Sequence, residues 1–205
     1  RRAKGENTAC KVAVGYDGRV SSVMLEEALV GGLLETGVDV VRIGMGPTPM
    51  LYYAEASAED VHGGIQITGS HNPANYNGFK LVFQGAPFFG ADILELGRMA
   101  ERGDWLEGNG KAERREVLSA YIDRLVEGLA GIDPSGLADL RIGWDAGNAA
   151  AGPALELLVK QLPGTHFCLF TDVDGNFPNH HPDPTEEKNL ADLKALVAAS
   201  NLHFG

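Results

Sequence analysis

The sequence is poor in cysteine, in positive charge and in long apolar runs. Cys10 and Cys168 are the two cysteines in 205 residues, too few for a disulfide framework, and we expect both to be reduced. Lys and Arg number 17 against 28 Asp and Glu, giving a net charge of −11. That balance disfavours non-specific nucleic-acid binding, which requires a basic face. No apolar run approaches the roughly 18 residues that cross a membrane, so we expect no membrane partner.

The remaining totals are ordinary. Hydrophobic residues make up 44% of the chain and charged residues 22%, as in globular proteins generally. The basic start at residues 1–5 has no apolar core behind it, so it is not a signal peptide, and we expect a cytoplasmic location. An anionic small substrate is compatible with the acidic total, because a local basic cluster can oppose the net charge.

Apolar runs and amphipathic stretches alternate along the first half. The order strand, helix, strand, helix, strand predicts a layered α/β domain with a mixed, largely parallel sheet. In the helix that follows Ser21-Ser22, four leucines are expected to form the buried face, and Gly37 follows the last turn. Strands are predicted at 12–14, 38–43, 64–67 and 81–83. Helices are predicted between Ser21-Ser22 and Gly37, through residues 52–54 after a turn at 46–49, and from about 91 to 100.

A charged segment, residues 102–115, separates this half from the next. It carries three glycines and no apolar periodicity, which predicts a linker or surface turn between two α/β domains, residues 1–110 and 111–205. The alternative is a long loop within one domain, and such loops are uncommon. Beyond the segment, helices are predicted at 117–129, 153–161 and 190–199, and strands at 141–144, 165–170 and from 202 onward.

The chemistry concentrates in residues 68–80, which follow the apolar run 64–67. Ser70 lies on a loop at the end of a predicted strand, between Gly69 and His71. A serine hydroxyl is a weak nucleophile until a base, a metal or fixed dipoles activate it. Lys80 could supply a charge for an anion or act as a base. As a bare Ser-His pair this is weak evidence, because two-residue matches carry a high false-positive risk.

The full string is far more specific. It resembles the active-site serine loop of the α-D-phosphohexomutases, in particular the bacterial phosphomannomutase/phosphoglucomutase branch. There the pattern is close to T-G-S-H-N-P-x-x-Y-N-G-F-K, and residues 68–80 fill every fixed position. Phosphoglucosamine mutases have a similar loop with alanine before the serine, so Gly69 points away from them, although they remain an alternative.

Other segments extend the resemblance to essentially all 205 residues, but only to the first two of the family's four domains. Residues 14–22 resemble its G-x-D-x-R-x-S-S segment, residues 46–50 its P-T-P turn, and residues 174–184 part of its second domain. One departure is Ala149, where the family often has G-N-G. By this comparison the family's D-G-D-G-D-R loop, whose aspartates hold Mg²⁺, is expected after Gly205.

The resemblance implies a mechanism and a set of residues. Ser70 would carry a phosphate and touch Mg²⁺ through it, and Lys80 and His71 would complete the catalytic group. Arg19 and Asn72 would bind substrate phosphate, although a structural ion pair beneath the loop is an equal possibility for Arg19. The reaction would interconvert hexose 6-phosphate and hexose 1-phosphate, of mannose or glucose, through a hexose 1,6-bisphosphate. The oligomeric state, monomer or dimer, stays open.

Three alternatives accompany this interpretation. The isolated chain could be a non-catalytic fragment that binds sugar phosphates. The group Asp172, Asp174, His180 and His181 could hold a metal, but its spacing matches no standard zinc pattern. A serine hydrolase built on Ser70 and His71 is disfavoured, because neighbouring side chains on an extended segment point to opposite sides. The G-x-S-x-G elbow is also absent.

Overall fold

A computed structural model describes residues 10–205. The basic start at residues 1–5 lies outside the described residues. Among residues 10–205, no helix is both long enough and apolar enough to cross a bilayer.

The chain divides into two compact units, each described here by itself. The first contains the described residues up to Asp17, then Ser21–Thr68 and Gly78–Val117. The second contains Gly18–Val20, Gly69–Asn77 and Leu118–Gly205. Two short segments from the first half of the sequence, residues 18–20 and 69–77, therefore pack within the second unit.

The first unit is a six-stranded mixed sheet with three helices. The strands are β1 (Lys11–Tyr16), β2 (Asp39–Met45), β3 (Gly63–Ile67), β4 (Phe79–Phe83), β5 (Ala86–Phe88) and β6 (Ala112–Arg114). The helices are α1 (Ser22–Glu35), α2 (Thr48–Ala56) and α3 (Ala91–Glu101). The strands lie in the order β5-β4-β3-β1-β2-β6. Strands β1, β2, β3 and β6 are parallel, and β3, β4 and β5 pair antiparallel in turn at one side.

The centre of this sheet is its core, as continuous apolar strands require. Val14, Val40 and Ile67, from β1, β2 and β3, are fully buried. Val30 of α1 joins them, and half-buried leucines of α1 pack around this cluster. The strands predicted from apolar runs are therefore confirmed in position and type. The carboxyl end of β3, which leads into the serine loop, is anchored at the middle of the sheet.

Helix α1 differs from its prediction in which face it buries. The residues that are fully buried are Ser22, Glu26 and Val30, while the four leucines expected there are only half-buried. Glu26 is 1% exposed, and both its carboxylate oxygens accept hydrogen bonds from the guanidinium of Arg42 on β2. A buried carboxylate requires such a partner, because its charge is otherwise strongly disfavoured away from water.

The segment 102–115, predicted as a linker or surface turn, contributes a strand to the first sheet. Residues 112–114 form β6, which pairs with β2 in parallel, and Lys111 O accepts a hydrogen bond from Val40 N at 2.8 Å. The three residues Ala-Glu-Arg carry no apolar alternation, so backbone pairing alone defines this strand. The three-residue β5, Ala-Pro-Phe, was not predicted either, because it is short and has a proline at its centre.

The second unit is built on a two-stranded parallel sheet, β7 (Arg141–Asp145) and β8 (Thr165–Leu169). A bridge from Phe204 to Ile142 starts a third pairing, as the predicted strand from 202 indicated. Its helices are α4 (Leu118–Val126), α5 (Gly152–Leu158) and α6 (Ala191–Ala199), with short 3₁₀ turns at 127–129, 134–136 and 187–190. The loops after β7 and β8 leave the same edge of the sheet, where ligand sites of parallel sheets form.

The pair formed by Glu26 and Arg42 generates a stability prediction for the first unit. Arg42→Ala leaves the Glu26 carboxylate buried without its partner. We expect the free energy of unfolding to fall by about 3 kcal/mol, the lower end for breaking a buried pair, since Arg42 keeps some exposure. Native-state hydrogen exchange of the β1 and β2 amides measures this change, because those amides open with the first unit.

The matched control is the double variant Glu26→Leu/Arg42→Leu, which removes both charges and should recover most of the loss. A change of less than about 1 kcal/mol in Arg42→Ala would contradict a stabilising role for the pair.

Candidate functional site

The serine loop is closed at its base and turned twice along its length. Thr68 N donates to Gly78 O at 2.9 Å, which ties the two ends in the first unit. Within the second unit, Asn72 N donates to Gly69 O at 3.0 Å, and Tyr76 N donates to Pro73 O at 2.9 Å. These two turns give the loop a defined backbone.

Arg19 organises the loop from beneath. Its side chain is buried, with the residue 2% exposed. One terminal nitrogen donates to Ser70 O at 3.0 Å and Asn72 O at 2.8 Å, and the other donates to Tyr76 O at 3.0 Å and also to Pro73 O. Four of the five guanidinium N–H groups are thus committed to carbonyls of the loop. Arg19 therefore supports the backbone of the loop through these carbonyl oxygens.

The side chain of Arg19 packs against one aromatic ring and against two positions where only glycine fits. The guanidinium lies 5.1 Å from the centre of the Phe177 ring, a cation–π contact. A Cβ added at Gly69 would lie 2.5 Å from the guanidinium carbon, and one at Gly175 would lie 2.9 Å from Arg19 Cα. The missing side chain at Gly69 therefore makes room for Arg19.

Ser70 is exposed and adopts a left-handed backbone conformation with φ of 53°. Such a conformation is uncommon for a residue other than glycine and persists only where the surroundings enforce it. Here the carbonyl of Ser70 is held by Arg19, so the strain is supported by a buried charge. The result is a serine presented at a fixed orientation on the surface of the second unit.

His71 is oriented by a segment far along the chain. Its Nδ1 lies 2.9 Å from the carbonyl oxygen of Pro182, and that oxygen can only accept. His71 and Ser70 both line a cavity of about 370 Å³ in the second unit. Asp145, at the end of β7, and His180 line the same cavity. The serine loop and the carboxyl edge of the β7–β8 sheet therefore form one site.

His180 and Asp145 form a hydrogen-bonded pair in this cavity. His180 Nε2 lies 2.9 Å from Asp145 Oδ2, and His180 Nδ1 lies 3.0 Å from the carbonyl of His181. Burial works against protonation, but the hydrogen bonds to the His181 carbonyl and to Asp145 outweigh it and raise the pKa of His180. The edge of the Phe170 ring packs on the imidazole with centroids 5.6 Å apart.

Asn148 links the loops at this edge of the sheet. Its side chain donates to Asp172 O at 2.9 Å and accepts from Asn179 at 2.7 Å, and the residue is 6% exposed. Gly147 and Asn148 have φ of 55° and 56°, so the two left-handed positions precede Ala149. The methyl group that distinguishes this turn from the G-N-G pattern therefore falls after them.

The structure divides the predicted site residues between the two units. Ser70, His71, Asn72 and Arg19 belong to the second unit. Asn72 is exposed, and its side-chain amide donates to Gly69 O at 2.9 Å, so it helps to close the first turn. Lys80 lies in the first unit on β4, where it is exposed and pairs in register with Gln66 of β3.

No group of three or more histidine, cysteine, aspartate or glutamate residues within 10–205 is arranged to hold a metal ion. The metal interpretation of Asp172, Asp174, His180 and His181 is therefore wrong: His180 pairs with Asp145, and Asp174 caps the Asn176 amide at 2.9 Å. Magnesium prefers carboxylate oxygens and water. The described residues do not assemble that set around Ser70.

Sequence reasoning missed Asp145, Asn148 and Pro182, and it assigned His180 to a different role. Asp145 and His180 are 35 residues apart with no spacing motif between them. The sequence offers one indication that they meet. Asp145 ends one strand of the predicted parallel sheet, and His180 lies in the loop that follows the other strand. The hydrolase argument also needs correction. Ser70 is left-handed and not extended, so the alternation of side chains along a strand does not apply to Ser70 and His71.

Comparison with known proteins finds two family models, one for each half of the chain. Residues 1–106 match the family model described as phosphoglucomutase/phosphomannomutase, alpha/beta/alpha domain I. Residues 119–205 match the model described as alpha/beta/alpha domain II of the same family. The two matches together cover most of the 205 residues.

Individual proteins that resemble this chain carry names of the same family. A phosphomannomutase/phosphoglucomutase of Pseudomonas aeruginosa is 40% identical over 95% of this chain and 41% of its own length. A phosphoglucomutase of Neisseria gonorrhoeae is 38% identical over 98% of this chain and 43% of its own. A crystal structure of a phosphoglucomutase/phosphomannomutase family protein from Burkholderia thailandensis superposes with a TM-score of 0.88 at 40% identity, covering 98% of this chain and 44% of that one. The chain spans less than half the length of these relatives.

The role of Arg19 can be tested without any ligand. In Arg19→Lys a single ammonium cannot reach four carbonyls, so we expect the loop to lose order. The amides of Asn72 and Tyr76, which close the two turns, should exchange with deuterium about tenfold faster, the effect of losing roughly one charged hydrogen bond. Hydrogen–deuterium exchange measured by NMR reports these amides individually.

Arg141→Lys is the matched control, because Arg141 also stacks on an aromatic ring, Phe167 at 5.0 Å, and donates to a carbonyl, Ser200 O. It should leave exchange at Asn72 and Tyr76 unchanged. Equal exchange in Arg19→Lys and the unaltered chain would show that the guanidinium does not order the loop.

Proposed function

Since the chain belongs to the phosphoglucomutase/phosphomannomutase family, we propose that the full-length protein is a phosphohexomutase with Ser70 as its phosphoryl carrier. The observation that carries the proposal is the presentation of Ser70. The serine of the family-like loop is exposed, left-handed and supported by the buried Arg19, and it lines a cavity with His71. A group that must receive and give up a phosphate benefits from such fixed placement, because phosphoryl transfer depends mainly on positioning.

The proposed reaction interconverts hexose 6-phosphate and hexose 1-phosphate. In the first step the bond between Ser70 Oγ and phosphorus breaks while phosphorus bonds to the oxygen of the free sugar hydroxyl. The proton lost by that hydroxyl balances the proton that the departing Ser70 oxygen takes up. The product is a hexose 1,6-bisphosphate. After the sugar turns round, the Ser70 hydroxyl loses its proton as its oxygen bonds to the other phosphate, and the sugar oxygen that leaves takes up a proton. Atoms balance over the cycle, and the serine ends as it began.

The residues of this chain have separate tasks in the proposal. Ser70 carries the phosphoryl group, and His71 contacts the sugar or the phosphate. Lys80 takes or returns the hydroxyl proton or neutralises the phosphate, for which an ammonium is suited. Asn72 and Arg19 set the loop backbone. Binding of substrate phosphate by Arg19 is not part of the proposal, because its donors are used by carbonyls.

Magnesium belongs to the full-length enzyme in this proposal. When bound, it would neutralise charge on the transferred phosphoryl group. Residues 10–205 assemble no carboxylate set for it, and the serine phosphate would be one of its ligands. The proposal accordingly assigns turnover to the full-length enzyme.

The packing of Gly69 favours the phosphomannomutase/phosphoglucomutase branch over the phosphoglucosamine mutases. Phosphoglucosamine mutases resemble this loop with alanine before the serine. An alanine Cβ at position 69 would lie 2.5 Å from the guanidinium of Arg19 and 2.6 Å from Tyr76 O. The loop as packed excludes that residue, which supports the phosphomannomutase/phosphoglucomutase branch.

Ser70→Ala in the full-length enzyme tests the carrier. We expect mutase activity to fall by at least about a thousandfold, because no phosphoryl acceptor remains, while the fold is unchanged. The measurement is conversion of glucose 1-phosphate to glucose 6-phosphate in a coupled assay. Ser135→Ala, which removes another exposed hydroxyl of the second unit, is the control and should keep full activity. A fully active Ser70→Ala enzyme would refute the proposal.

Lys80→Ala tests the second catalytic group. A residue that acts mainly in the transition state affects turnover more than substrate binding. We therefore expect kcat to fall about a hundredfold with KM changed only a few-fold. Steady-state kinetics separate the two constants, and Lys160→Ala, at another exposed lysine, is the control. An effect confined to KM would instead assign Lys80 to binding.

A further inference from the structure

We propose that Asp145 and His180 are positioning residues that hold His71 in its Nδ1–H tautomer through the segment of residues 180–185. His71 then offers only Nε2 to a ligand, as a hydrogen-bond acceptor for a sugar hydroxyl. The contact with a sugar hydroxyl rests on the proposed function, whereas the tautomer rests on the geometry of the second unit alone.

The contact between His71 and Pro182 determines the tautomer of His71. A carbonyl oxygen has no proton to give, so a 2.9 Å contact with His71 Nδ1 requires the proton on Nδ1. A neutral imidazole carries one N–H, so Nε2 is left with its lone pair. The lone pair accepts from a hydroxyl and repels a phosphate oxygen, which is also an acceptor. His71 in this tautomer therefore recognises a hydroxyl of the sugar.

The orientation of the Pro182 carbonyl is fixed by contacts of the residues before and after it. Before it, His180 is fixed between Asp145 and the His181 carbonyl. After it, the carbonyl of Asp183 accepts from the Asn189 side chain at 2.8 Å, and Asn189 is 4% exposed. Since both neighbours are anchored, Pro182 cannot turn its carbonyl away from His71 without breaking one of these contacts.

Asp145 is the residue that fixes His180, and through His180 the Pro182 carbonyl. It lies at the end of β7, with its side chain 7% exposed, and its second carboxylate oxygen accepts from Gly147 N at 2.8 Å. That backbone contact fixes the orientation of the carboxylate that binds His180. Both nitrogens of His180 face acceptors, which favours the imidazolium and a charge-assisted bond to Asp145. The burial of this pair keeps water from competing for it.

The test is the protonation pattern of the His71 ring in the folded 205-residue chain. Long-range ¹H–¹⁵N correlation spectra at pH 8 give separate shifts for the two ring nitrogens of each histidine. Comparison with His71→Asn identifies the His71 signals among the six histidines. We expect Nδ1 at the shift of a protonated nitrogen and Nε2 at that of an unprotonated one.

Asp145→Asn and His180→Gln should both release the constraint. In each, the ratio of Nδ1–H to Nε2–H tautomer at His71 should fall about tenfold, the effect of losing roughly one hydrogen bond. Asp192→Asn is the matched control, because Asp192 acts on His180 by charge without a hydrogen bond to it. It should leave the His71 tautomer unchanged.

Two results would overturn the inference. One is a largely Nε2–H tautomer at His71 in the unaltered chain, which needs no variant to fold. The other is an unchanged tautomer ratio in Asp145→Asn or His180→Gln whose backbone amide spectrum is that of the folded chain. Neither readout involves phosphoryl transfer. An active Ser70→Ala enzyme would therefore refute the mutase proposal while leaving the tautomer result in force.

Discussion

A single buried guanidinium organises the candidate site. Arg19 binds four carbonyl oxygens of the serine loop and stacks on Phe177, and Gly69 and Gly175 lack side chains where it fits. A buried cation is strongly disfavoured unless its donors are satisfied. The loop therefore adopts the one backbone path that satisfies it, and the left-handed Ser70 lies on that path.

The second constraint is the carboxyl edge of the β7–β8 sheet. Parallel strands release their loops at a common edge, so residues distant in sequence meet there. Asp145 ends β7, and the loop that follows β8 returns His180 and Pro182 to it. Short-range polar contacts within one unit thus position both Ser70 and His71, with a small parallel sheet as the rigid support.

Much of this could be predicted from the sequence, for physical reasons that differ by element. Apolar runs located β1, β3, β7 and β8, because burial selects those residues. The three-residue β6 was not predicted, because its pairing uses backbone groups alone. The serine loop was recognised from its residue string, but the carbonyl partners of Arg19 and the contact between Asp145 and His180 depend on tertiary packing, which no local spacing encodes.

The arrangement around Arg19 has a consequence for the outer side of the loop. In a trans peptide the C=O and the next N–H point in opposite directions, and residues 10–205 contain no cis peptide. With the carbonyls of Ser70, Asn72, Pro73 and Tyr76 turned inward, the amides of His71, Ala74 and Asn77 turn outward, while Pro73 has none. Arg19 thus sets the direction of these amides as well as of the carbonyls that it binds, so one side chain fixes which polar groups of the loop backbone face away from it.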